Sequence, residues 1–202
     1  MKYLAAYPAA LRAQVEQLMA QGRLGDWLLK RYGGVHGIRN DRALYDYVSG
    51  LKSEFLRNAE PLAKVAFDNK LHVIRNALGT HTTISRVQGS KLKTKREIRV
   101  ASLFREVPLE WLRMIVVHEL AHMKERDHDK SFYALCEHME PDYHRLEFDV
   151  RLYLTHLDSG GERLWASSLP APGTPGVTPA GMLIGRCRSL APRLRTRSPS
   201  CR

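Results

Sequence analysis

Two histidines and a glutamate in the segment Val117-His118-Glu119-Leu120-Ala121-His122 have the spacing of a zinc-hydrolase site. Residues four positions apart lie on the same face of a helix, so His118 and His122 can bind one ion. Glu119 follows the first histidine and is placed to take a proton from the water that the metal activates. The spacing therefore predicts two metal ligands and a general base together.

A catalytic zinc ion takes three protein ligands and leaves a fourth position for water. His128 is the first candidate for the third ligand, because a helix that ends near residue 125 lets the chain turn back toward the ion. Asp127 and Asp129 flank His128, and either could cap a helix over 130–139 and so fix where the imidazole points. The other candidate ligands are Glu137, Glu140, Glu147, His138 and His144.

The elements that must position these side chains form a mixture of helices and short strands. The helical patterns begin after Pro8 and at Asn40, and further helices are predicted over 26–32, 108–125, 130–139 and 142–157. Short β-prone runs are predicted at 64–67, 71–75, 82–87 and 97–101. We therefore expect an α+β fold in which helices pack on one face of a small sheet.

From about residue 3 to 157 the chain resembles the YgjP-like metallopeptidase-domain proteins, which are related to the WLM and SprT-like peptidases. The resemblance rests on the His-Glu-Leu-Ala-His helix, on the segment 127–133 and on the segment 138–149. It implies a zincin-like fold, with zinc bound by His118, His122 and His128 and with Glu119 as the catalytic carboxylate. One difference is that many relatives carry Trp-Gly-Ser-Cys where this chain has Ser85-Arg86-Val87-Gln88.

The composition predicts one compact domain over 1–158, since 202 residues with 44% hydrophobic content can bury a core. Residues 159–202 hold six of the ten prolines, and seven arginines against one glutamate give them +6 of the formal net charge of +11. We expect this segment to be a disordered basic tail. A leader and an apolar run of membrane-spanning length are lacking, so we expect a cytoplasmic protein without membrane contact. The three cysteines suggest neither a disulfide framework nor a cysteine zinc site.

Metal-assisted hydrolysis leaves the substrate class open between two possibilities. The first, which the sequence favours, is a peptide that lies along a sheet edge, as the resemblance implies, and it makes the protein a zinc metallopeptidase. The alternative is a nucleotide phosphohydrolase of the nucleoside triphosphate or UTP pyrophosphatase type, because the same activated water can attack phosphorus. A non-enzymatic adaptor with a structural zinc ion is a third hypothesis, disfavoured by the incomplete ligand set.

A basic cluster between residues 86 and 99 bears on the choice of substrate. Its lysines and arginines are either a solvated strand face or a rim that attracts a polyanion such as a nucleotide. Aromatic residues are scarce in the cluster, which disfavours stacking on nucleic-acid bases. A further side chain could donate a hydrogen bond to the oxyanion of the reaction, and the candidates for this role are Tyr133, Tyr143, His144 and Arg86.

Overall fold

The computed structural model describes residues 1–69, 79–88 and 91–165. Within these residues the chain forms six α-helices and three strands, with short 3-10 segments at Lys2–Leu4 and Ser102–Arg105. The helices are α1 (Ala9–Ala20), α2 (Leu24–Arg31), α3 (Asp41–Phe55), α4 (Leu109–Ala121), α5 (Lys130–Met139) and α6 (Tyr143–Asp158). The strands are β1 (Leu62–Asp68), β2 (Gly79–Gln88) and β3 (Lys91–Ala101). In the part of the chain so described, each helix is too short or too polar to cross a bilayer.

The three strands form one sheet in the order β1-β3-β2, with β3 parallel to β1 and antiparallel to β2. Val65 pairs with Ile98, and Phe67 pairs with Val100. All four side chains are buried and belong to the hydrophobic core. Because side chains alternate along a strand, this places one apolar face of the sheet toward helices α3 and α4. The arrangement is α+β, as the pattern of elements predicts.

The hairpin of β2 and β3 is longer than the hydrophobic pattern indicates. The run predicted at 97–101 is only the end of β3, which begins at Lys91, and the run predicted at 82–87 lies inside β2. The first residues of β3 are nearly all polar, so this part of the strand lacks the alternation of apolar and polar residues by which a strand is recognised in a sequence. Its backbone pairing with β2 sets the length of the strand. The strand predicted at 71–75 lies outside the described residues.

Side-chain caps begin helices α3 and α5, the second of which follows the chain reversal at the predicted site. Asn40 accepts a hydrogen bond from the backbone N–H of Ala43 at the start of α3, and Asp129 accepts one from Phe132 at the start of α5. Helix α4, predicted over 108–125, ends at Ala121. Beyond it, Met123 and Lys124 donate to carbonyls three residues back, which tightens the last turn and redirects the chain.

Aromatic residues fill the core between α2, α4 and α6. The Trp111 ring is fully buried and packs against Tyr32, Tyr153 and Trp165, with ring centroids 4.9 to 5.2 Å apart. Trp165 is buried although it follows the predicted domain boundary at 158. The rest of the predicted tail, residues 166–202, lies outside the described residues, and that boundary stays a prediction.

Candidate metal centre

The structure brings His118, His122 and His128 together from three different places in the chain. His118 lies in α4, His122 is the residue that follows the helix, and His128 belongs to the loop before α5. One ring nitrogen of each lies within 4.8 Å of the other two, and the Nε2 atoms of His118 and His128 are 3.2 Å apart. Two nitrogen ligands on a tetrahedral zinc ion stand roughly 3.3 Å apart, so this pair fits such an ion.

Outer hydrogen bonds fix the orientation of two of these imidazoles. His122 Nδ1 lies 2.9 Å from the Glu125 carbonyl oxygen, which can only accept, so Nδ1 carries the proton and Nε2 has a free lone pair. His118 Nδ1 lies 2.7 Å from the hydroxyl oxygen of Tyr143, a fully buried residue at the start of α6. Both contacts leave Nε2 as the atom that faces the shared position, which is how ligand histidines are held in metal sites.

Phe132 forms the apolar wall against which all three histidines pack. Its ring centroid lies 5.0 Å from that of His118 and 4.6 Å from those of His122 and His128. The residue is completely buried, and its backbone N–H is the group that Asp129 caps. The cap that starts α5 therefore also places Phe132 beside the cluster, a role that the sequence did not reveal.

Two of the histidines, His118 and His128, are electrostatically suited to bind a cation as neutral rings. Burial, followed by the neighbouring His122 and His128, lowers the pKa of His118 to about 3. Burial and then His122 also lower the pKa of His128. Since metal ions bind the deprotonated imidazole, a low pKa removes the competition from protons near neutral pH.

Glu119 is the most unusual side chain of the site, because it is buried without compensation. It is 1% exposed, and among the described residues its Oε2 atom has no hydrogen-bond partner. Burial raises its pKa to about 8. A buried carboxyl group is normally satisfied by donors, so an orphaned one on the residue that directly follows a clustered histidine is typical of a catalytic acid or base.

The three glutamates that compete with His128 as a third ligand each pair with another side chain. These pairs are Glu137 with His144 at 3.2 Å, Glu140 with Arg113 at 2.6 Å and Glu147 with Arg151 at 2.6 Å. His138 packs its ring on Phe55, with centroids 5.7 Å apart. In the described parts of the chain, the group with metal-binding geometry consists of the three histidines.

The predicted oxyanion donors have different positions relative to this cluster. Tyr143 is buried behind His118, and His144 is exposed and paired with Glu137. Tyr133 is half-buried, and its ring centroid lies 6.4 Å from that of His128. The side chain of Arg86 lies outside the described residues. Among the three whose side chains are described, Tyr133 is the one whose partly exposed ring lies beside His128, the exposed histidine of the cluster.

Comparisons with known proteins agree with the sequence resemblance. The family model described as YgjP-like, metallopeptidase domain, matches residues 62–150, a range that includes the three histidines and Glu119. A protein of Escherichia coli (strain K12) named UTP pyrophosphatase is 59% identical over 162 residues, which cover 80% of this chain and 97% of that relative. No solved structure matches the chain.

Proposed function

Because the chain belongs to the YgjP-like family, we propose that it is a metal-dependent hydrolase that cleaves a phosphoanhydride bond of a nucleoside triphosphate, with UTP as the first substrate to test. The relative named UTP pyrophosphatase supports this choice, since the likeness extends over nearly its whole length. The observation that carries the hydrolytic chemistry is the buried, unpartnered Glu119 next to the three-histidine cluster.

We propose a zincin-like arrangement in which His118, His122 and His128 hold a zinc ion. The fit is supported by the close approach of the ring nitrogens and by the outer bonds to Tyr143 and to the Glu125 carbonyl. A set of three protein nitrogens leaves a position for solvent and is a catalytic set rather than a closed structural one. When bound, zinc supplies Lewis acidity, which makes water a nucleophile near neutral pH.

Glu119 acts as the general base that takes a proton from the attacking water. The buried carboxylate is a stronger base than an exposed one, since burial raises its pKa to about 8. The water then attacks phosphorus, the bond to the bridging oxygen breaks, and pyrophosphate or orthophosphate leaves as an anion. Phe132 packs against all three histidines and would hold their rings in place during the reaction.

Peptide hydrolysis is the second candidate function, because the matching family model is that of a metallopeptidase domain. The same base would take the proton from water, and Glu119 would then return it to the amine that leaves. The proton that Glu119 returns is the one it took from the water, so the group must be ionised when the reaction begins. In this case the substrate would be an extended peptide along a sheet edge.

The two candidates separate in one set of assays with the zinc-loaded full chain. We expect release of pyrophosphate or orthophosphate from UTP and other nucleoside triphosphates, and none of the cleavage products of a random peptide library. Glu119→Gln should lower the rate by roughly 100-fold or more, since general bases contribute about 10² to 10⁴. Glu110→Gln is the matched control, because Glu110 is an exposed residue in the first turn of the same helix.

Three outcomes would contradict the proposal. Cleavage of peptides without phosphate release would favour the second candidate. Full activity of Glu119→Gln would exclude Glu119 as the base. Equal losses in Glu119→Gln and Glu110→Gln would show that damage to the helix, and not loss of the base, causes the effect.

A further inference from the structure

One face of helix α6 connects the metal centre to a cationic side chain that the mechanism above does not use. Tyr143, Glu147 and Arg151 are spaced four residues apart and therefore lie along the same stripe of the helix. Tyr143 begins the stripe with its hydroxyl on His118 Nδ1. Because helical side chains lean toward the N-terminus of their helix, the guanidinium of Arg151 points back along the stripe toward Glu147.

The guanidinium is held in place by its neighbours. Its Nε and Nη2 atoms donate to Oε1 of Glu147 at 3.2 and 2.6 Å, and Nη1 donates to the carbonyl oxygen of Tyr3 at 3.5 Å. These bonds use three of the five N–H groups of a guanidinium. The side chain of Arg151 is 25% exposed whereas that of Glu147 is 10% exposed, so the cation of this pair reaches solvent more than the anion does.

The charge of the same guanidinium acts on two of the clustered histidines and on two tyrosines. After the larger effects of burial and the neighbouring histidines, Arg151 further lowers the pKa of both His118 and His128. It also opposes the rise that burial causes in the pKa of Tyr7 and Tyr133. The charge of Arg151 thus acts on two of the three histidines that would hold the metal.

A second ion pair on α6, between Arg145 and Asp149, has a structural role. Arg145 contacts Asp149, and Asp149 also accepts from the hydroxyl of Tyr32 and pairs with Arg31, which joins α6 to α2. Asp149 is 1% exposed and lies on a different face of the helix from Glu147. Through Asp149 the pair at Arg145 is joined to α2, whereas Glu147 and Arg151 lie on the stripe that begins with Tyr143.

On this geometry, and resting on the phosphohydrolase function proposed above, we propose that Arg151 binds a phosphate group of the substrate beside the metal centre. A planar guanidinium matches the oxygen spacing of a phosphate, and the bonds to Glu147 orient the group before the substrate arrives. The metal and Arg151 would then hold neighbouring phosphates, which selects a di- or triphosphate over a single phosphate. Glu147 acts only as the positioning residue for Arg151.

The test compares Arg151→Gln, Arg151→Lys and the double variant Glu147→Gln/Arg151→Gln in the full zinc-loaded chain. The double variant is included because Arg151→Gln alone leaves Glu147 with a buried, uncompensated charge. Arg145→Gln is the matched control on the other face of α6. We measure KM and kcat for UTP, and we measure pyrophosphate and succinate binding by calorimetry. Zinc content and thermal melting show whether each variant is folded.

Loss of a charge-assisted hydrogen bond, worth about 1.5 to 3 kcal/mol, corresponds to a KM for UTP and a Kd for pyrophosphate raised roughly 10- to 100-fold. We expect this rise in Arg151→Gln and in the double variant, a smaller rise in Arg151→Lys, and kcat changed much less than KM. Arg145→Gln should stay within about twofold of the parent protein.

The outcomes distinguish this proposal from the function on which it rests. If UTP is hydrolysed and the double variant, with normal zinc content, keeps the parent KM and pyrophosphate affinity, Arg151 is not the phosphate ligand. Succinate binding as strong as that of pyrophosphate, with the same dependence on Arg151, would overturn the assignment to phosphate. If UTP is not hydrolysed but pyrophosphate binding still requires Arg151, the anion site stands and the proposed activity fails.

Discussion

The carboxyl group of Glu119 should make the stability of the metal-free protein depend on pH in a way that one substitution removes. Its pKa is about 8 in the folded chain, against an ordinary value of 4.5, because it is buried without a partner. In the folded state the group therefore keeps its proton where the unfolded chain has lost it. The stability linked to this proton is complete below pH 4.5 and is lost as the pH rises toward 8.

The size of the effect follows from the two pKa values. Each unit of difference corresponds to about 1.4 kcal/mol, and between roughly pH 5 and pH 8 this linkage removes about 3 kcal/mol of unfolding free energy. The amide that replaces the carboxyl group in Glu119→Gln cannot ionise, so this loss is absent from the variant. His118 has the opposite dependence, since its lowered pKa costs stability as the pH falls from 6.5 toward 3. That contribution is shared by both proteins and cancels in their difference.

The assay is urea denaturation of chelator-treated parent protein and Glu119→Gln at about pH 5, 6, 7 and 8. The difference in unfolding free energy should shift by about 3 kcal/mol in favour of the variant between the lowest and the highest pH. Glu110→Gln, the exposed control on the same helix, should give a difference that does not follow this trend. Curves for parent and Glu119→Gln that stay parallel within about 0.5 kcal/mol would refute the reasoning that burial holds the proton on this carboxyl group.

Four further predictions concern the side chains that build the metal centre. Tyr143→Phe removes the bond to His118 and should weaken zinc binding about 10- to 100-fold in a chelator competition while the fold is retained. His128→Ala should lose most of the zinc by metal analysis, and an unchanged content would move the third ligand elsewhere. Asp129→Ala removes the cap of α5 and should lower the unfolding free energy by about 1 kcal/mol in urea. Phe132→Ala should cost about 3 to 5 kcal/mol and loosen the site, seen as loss of both stability and zinc affinity, and a change below about 1 kcal/mol would contradict its role as the wall.

Local signals made the helices and the ligand spacing predictable from the sequence. Asn40 and Asp129 are capping residues at the starts of α3 and α5, where the structure finds their hydrogen bonds to the backbone. The four-residue spacing of His118 and His122 predicts a shared face regardless of the rest of the fold. His128 could be named as a candidate third ligand because a helix that ends before it lets the loop turn back toward the other two histidines. Sequence spacing alone did not exclude the glutamates as the third ligand.

Contacts between distant residues could not be read from the sequence in the same way. The bond between Tyr143 and His118 joins residues on two helices, and the packing of Phe132 on three rings depends on how the loop at 122–129 folds. Nothing in a list of residues marks Phe132 as different from any other core aromatic. The stripe of Tyr143, Glu147 and Arg151 is visible as a four-residue spacing, but it has meaning only once Tyr143 is found on His118.

The proton that Glu119 accepts from water has a different fate in the two candidate chemistries. Cleavage of a peptide bond needs a proton for the amine that leaves, so its rate requires Glu119 to accept and then return one. Pyrophosphate leaves as a stable anion and requires only the first of these steps. In both chemistries Glu119 must be ionised before it can accept the proton of the water, so either rate should rise as Glu119 loses its own proton, and only peptide cleavage uses the accepted proton a second time. The phosphate site proposed at Arg151 would favour phosphoanhydride cleavage, because a guanidinium there assists an anionic leaving group and does little for a neutral amine.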